Sequence, residues 1–100
     1  MYREIIEIKE TVSADTLAGL KRICAAAHKN RAGEVKMTTL GEHIFCFEGT
    51  EKDYGCLMLA SLSLNRSEMF KSFIKNWRWE DEDPDENCDI LKSLAIPVRV

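Results

Sequence analysis

The run Cys56–Leu64 (CLMLASLSL) constrains the fold more than any other stretch, because it carries no charge and has to be buried wherever the chain puts it. A continuous apolar run fits either a strand buried on both faces or a buried helix, and periodicity does not separate the two. Its short length and its flanks favour a strand: the turn-like segment Gly49–Gly55 precedes it and a strong helix start follows. As a strand it turns the preceding hairpin into a three-stranded meander. The resulting order is β-α-β-β-β-α-α-β, an α+β domain with one small antiparallel or mixed sheet and helices packed on one face. As a helix it gives βαββαβ, the ferredoxin-like arrangement.

The remaining elements follow from local pattern. Ile5, Ile6 and Ile8 are interleaved with Glu4, Glu7 and Lys9 and predict a first strand over Tyr2–Lys9. Ser13 stands at an N-cap position, and Leu17, Leu20, Cys24 and Ala27 recur at helical spacing, which predicts a helix over 14–29 with its stop at Asn30-Arg31-Ala32-Gly33. Two alternating runs, 34–40 and 43–48, flank Gly41-Glu42, a pair that suits a type II′ turn. In that hairpin Val35, Met37 and Thr39 share one face, as do Phe45 and Phe47.

Asn65-Arg66-Ser67-Glu68 resembles a capping box. Behind it Met69, Phe70, Phe73, Ile74 and Trp77 lie on one arc, with Lys71, Lys75 and Arg78 opposite, so a helix is expected over 66–79. A second box, Asp83-Pro84-Asp85-Glu86, predicts a short helix to Ser93. The alternating end Ala95–Val100 reads as a strand, kept at an edge by Pro97.

A length of 100 residues, 45% of them apolar and 31% charged, fits a single globular domain over 1–100. The alternating start excludes a signal peptide, and no run is long enough to span a bilayer, so a cytoplasmic location without membrane contact is expected. There Cys24, Cys46, Cys56 and Cys88 are free thiols. Residues 1–79 carry 12 Lys/Arg against 10 Asp/Glu, whereas residues 80–100 carry 2 against 7. The acidity is local, and without a basic face direct nucleic-acid binding is not expected.

Chemistry-bearing motifs are missing. The cysteine spacings fit no zinc or redox pattern, although a hairpin over 46–56 sets Cys46 opposite Cys56. His28 and His43 are the residues able to titrate near neutrality, and neither has a nucleophile placed beside it. The five glycines are scattered and form no phosphate cradle. Asp81, Asp83 and Asp85 alternate as in a calcium loop, but Glu86 replaces the glycine and Lys92 the last ligand. No metal, cofactor or catalytic residue is assigned.

What stands out is Trp77-Arg78-Trp79 followed by Glu80-Asp81-Glu82-Asp83. On a helix Trp77 faces the core and Trp79 lies about 200° further round, partly exposed. Trp and Arg are enriched at binding hot spots, and clustered carboxylates steer association with a basic partner. The expected function is therefore a non-enzymatic binding or inhibitor protein of the immunity-protein, antitoxin or anti-defence kind. It would present Trp79, Glu80, Asp81, Glu82 and Asp83 to a basic protein such as a toxin or a nucleic-acid-binding protein. The alternative is a small-molecule-binding or enzymatic α+β domain with a pocket at a homodimer interface, lined by His43, Cys46 or Tyr54. A free terminal edge strand allows such a homodimer.

Overall fold

The first strand, β1 (Tyr2–Ile8), sits at the centre of a five-stranded sheet of order β2-β3-β1-β4-β5, with every neighbouring pair antiparallel. The fold is known from a computed structural model that describes residues 1–29 and 35–93. The other strands are β2 (Lys36–Gly41), β3 (Ile44–Gly49), β4 (Ile74–Glu80) and β5 (Cys88–Asp89). The helices are α1 (Ala14–Lys29), α2 (Tyr54–Asn65), α3 (Glu68–Ser72) and α4 (Ile90–Ser93). The domain is thus α+β with one antiparallel sheet. From β1 to β4 its order is that of the βαββαβ arrangement, extended by β5 at the edge.

Alternation decides which face of the sheet is covered. Glu4, Ile6 and Ile8 point to the helices together with Phe45, Phe47, Trp77 and Trp79, all nearly or fully buried. Leu20 and Cys24 of α1, Leu57 and Leu64 of α2, Phe70 of α3 and Ile90 complete this core. The opposite face carries cross-strand polar pairs: Arg3 with Glu80 at 3.0 Å, and Asn76 donating to Glu7 at 2.8 Å. Ile5 and Cys46 are buried beneath them.

Several local expectations hold. Ser13 Oγ accepts from Thr16 N at the start of α1, and Met37 and Thr39 pair with Phe47 and Phe45 on one face. Cys24, Cys46, Cys56 and Cys88 form no disulfide among the described residues. The hairpin turn, however, is Glu42-His43, because Gly41 still pairs with Ile44 as the end of β2. No described glycine has positive φ, so the type II′ turn expected at Gly41 does not form.

The uncharged run is helical. It forms most of α2, which packs on α1 and the sheet, and so the meander is replaced by a crossover that carries the chain to β4 on the far side of β1. Cys46 and Cys56 accordingly lie on a strand and a helix and do not face one another in a hairpin. The helix expected over 66–79 stops early. Ser67 Oγ caps α3 through Phe70 N at 3.1 Å, Phe73 ends it, and the chain becomes strand at Ile74. A bulge explains the misleading spacing: Glu7 pairs with Asn76 but Ile8 pairs with Ile74, leaving Lys75 as the extra residue. Ile74 and Trp77, three apart like helix neighbours, therefore both face inward from a strand.

The Asp83 cap is real, its Oδ1 accepting from Asp85 N at 3.0 Å with Pro84 next, but it starts a three-residue 3₁₀ turn, Pro84–Glu86, before β5 and α4. The stop at 30–33 and the terminal strand with Pro97 lie outside the described residues.

Candidate functional site

Trp79 is not exposed. As the strand partner of Glu4 it is 2% accessible, and its indole Nε1 donates to Asp81 Oδ2 at 3.0 Å. The sheet, with its period of two, turns Trp79 to the same face as Trp77; a helix would have separated them. Around Trp79 gather two tyrosines. Tyr2 and Tyr54 meet edge to face at 5.0 Å between ring centroids, and Trp79 lies 5.9 Å from Tyr2 and 5.6 Å from Tyr54. Tyr54, at the start of α2, remains 40% accessible and is the outermost ring of this cluster.

Negative charge acts on this cluster. Burial and, after it, the negative charges of Glu82, Asp81 and Glu51 raise the Tyr2 phenol above its ordinary value. Glu51 comes from the β3–α2 connection, so the acidic surface joins two loops distant in sequence. Glu82 is half exposed and ion-pairs with the Met1 ammonium.

Glu80, Asp81 and Asp83 have partners of their own. Glu80 pairs with Arg3 on the open face of the sheet. Asp81 Oδ1 accepts from Asp83 N at 3.0 Å, and Asp83 Oδ1 does the same for Asp85 N, so the alternating aspartates form a ladder of turn-stabilising bonds. Asn87 Oδ1 completes the loop by accepting from Asp81 N. The bonds from Trp79 and Asp83 hold the Asp81 carboxyl below its ordinary value. Among the described residues no group of three His, Cys, Asp or Glu side chains is placed to hold a metal ion.

A second polar centre went unrecognised in the sequence. Glu4, fully buried, accepts from Trp77 Nε1 at 2.5 Å through one oxygen and lies 2.7 Å from His28 Nε2 through the other. The other ring nitrogen of His28, Nδ1, is 2.8 Å from the Cys24 carbonyl, and the ring stacks on Phe47 at 3.8 Å. A carbonyl cannot donate, so Nδ1 carries a hydrogen, and a further proton has to lie between Nε2 and the Glu4 carboxyl. This network ties the C-terminal turn of α1 to β1 and β4. With His28 and Glu4 sealed from solvent it is a structural junction and no substrate can reach it. The signal was present: Glu4 is the one charged member of the inward set Glu4, Ile6, Ile8. Burial and the Glu4 charge also raise the Cys24 thiol to about 12.

Within one copy of the chain His43, Cys46 and Tyr54 lie in different places. Cys46 is buried on the opposite face of the sheet, Tyr54 belongs to the aromatic cluster, and His43 lines a cleft of about 500 Å³ between α1 and the β2–β3 turn. Comparison with protein-family models, with curated proteins and with solved structures finds no match to this chain.

Proposed function

We propose that this chain is a non-enzymatic binding protein that offers Tyr54, with Tyr2 behind it, and the carboxylates of Glu51, Asp81 and Glu82 to a basic partner surface. The observation that carries this reading is the 40% accessible Tyr54 ring packed on Tyr2 and Trp79, the latter bonded to Asp81, with Tyr2 under the negative charges of Glu82, Asp81 and Glu51. Such a site can take a Lys or Arg side chain against an aromatic face while a carboxylate pairs with its charge. Trp79 serves beneath the surface, fixing the tyrosines and the Asp81 loop so that little ordering is left to be done on binding. On this basis the protein acts in the cytoplasm as a small acidic inhibitor of the immunity-protein, antitoxin or anti-defence kind. A toxin or a nucleic-acid-binding protein has the basic surface it requires.

Tyr54→Ala combined with Glu51→Gln and Glu82→Gln changes surface groups, and of the core it removes only the edge contact of the Tyr54 ring with Trp79. The variant should melt close to the unmodified chain and bind a captured basic partner at least about tenfold more weakly, with the unmodified complex weakening as salt rises. Recovery of the same partners with the same affinity by both proteins would refute the assignment.

A further inference from the structure

The cleft beside His43 has the chemistry of a ligand site and is independent of the acidic surface. Its wall on α1 is formed by Ala14, Leu17, Ala18 and Lys21, which the helical repeat brings to one side, and its opposite wall by the β2–β3 turn. Phe45, fully buried beneath, supplies an apolar floor. The small side chains of Ala14 and Ala18 leave the space open, and about 500 Å³ lies within the range occupied by small-molecule ligands.

The polar groups on the rim differ in how far they are already satisfied. Glu42 has His43 Nδ1 at 3.7 Å. Lys21, by contrast, has no ion pair or hydrogen bond with any described residue, so its ammonium is the free charge on this rim. His43 Nε2 is buried without a hydrogen-bond partner among the described residues, leaving polar capacity in the same wall. Ala14 and Lys21 are two turns apart, about 10 Å along the helix. We propose that this cleft binds a small monocarboxylate with an apolar body, its carboxylate paired with Lys21 and its body against Leu17, Ala18 and Phe45. An amine of the same shape meets the Lys21 charge unfavourably, and a neutral alcohol leaves that charge unused.

The test titrates the full chain with 3-phenylpropanoate, 3-phenylpropylamine and 3-phenylpropanol, following backbone amide shifts. The acid should give saturable shifts at Leu17, Ala18 and Phe45 and bind at least about tenfold more tightly than the amine or the alcohol. Lys21→Glu should weaken the acid by at least that factor and improve the amine, while Ala18→Phe, which fills the cleft from an exposed position, should abolish both. Thermal melts on the two variants confirm that each is folded. Equal binding of the three probes, no saturable shift in the cleft with any of them, or unchanged binding of the acid to Lys21→Glu overturns the proposal.

Discussion

A carboxylate with no access to water is costly unless its oxygens are hydrogen-bonded, and Glu4 meets that condition with Trp77 on one oxygen and His28 on the other. The two substitutions that separate charge from hydrogen bonding should behave differently. Glu4→Gln can still accept from Trp77 Nε1 through its amide oxygen, and its NH₂ can donate to a neutral His28 whose Nδ1 hydrogen stays on the Cys24 carbonyl. Its cost should be within about 1.5 kcal/mol, since weaker hydrogen bonds are offset by removal of a buried charge. Glu4→Leu leaves the Trp77 indole and the His28 ring without their partner in a sealed core and should cost about 3–5 kcal/mol. Urea denaturation of both variants checks the ordering, and equal losses would mean that Glu4 acts through volume alone.

Among the elements, the turn from β3 into α2 rests on a close approach. A Cβ at Gly49 would lie 2.5 Å from Asp53 Cβ and 2.8 Å from its Oδ2, while that same carboxylate oxygen accepts from Thr50 N at 2.8 Å. Gly49→Ala must therefore push Asp53 away and loosen the connection that positions both Glu51 and Tyr54. A loss of about 1–3 kcal/mol is expected in chemical denaturation, together with a changed fluorescence of Trp79, which packs on Tyr54. A variant as stable as the parent would show that the loop relaxes freely.

The same region shows what sequence pattern can and cannot carry. That Met37 and Thr39 share one face of their strand, and Phe45 and Phe47 one face of theirs, was legible because strict alternation admits one interpretation, whereas the turn at Gly41-Glu42 would have set the register one residue off. The uncharged run in α2 has no polar face to set a period, and its helical state is decided by packing against α1 and the sheet. In β4 the bulge at Lys75 converts the two-residue spacing of a strand into the three-residue spacing of a helix, while Trp77-Arg78-Trp79 still alternates. Of the candidate site, the acidic loop was visible as composition. The ring cluster was not, since Tyr2, Tyr54 and Trp79 come from three elements that only the topology brings together.

At the scale of the whole molecule, the four thiols provide a graded report on how the domain opens. Cys24, Cys46 and Cys56 are buried in a helix, a strand and a second helix, whereas Cys88 on the edge strand β5 is half-buried. Burial raises the Cys46 thiol as well as Cys24, so both stay protonated and unreactive while the fold is closed. Among the described residues the two-residue strand β5 pairs only with β4, through two residue pairs, which makes it the part of the sheet that opens at least cost. Labelling with an aromatic disulfide at pH 8 should therefore modify Cys88 first. The other three should follow together, at a rate that urea accelerates in proportion to global unfolding. Separate urea-independent rates for Cys24 and Cys56 would instead show that α1 and α2 detach from the sheet on their own. The Glu4–His28 junction would then not bind the α1 layer to the strands as its geometry implies.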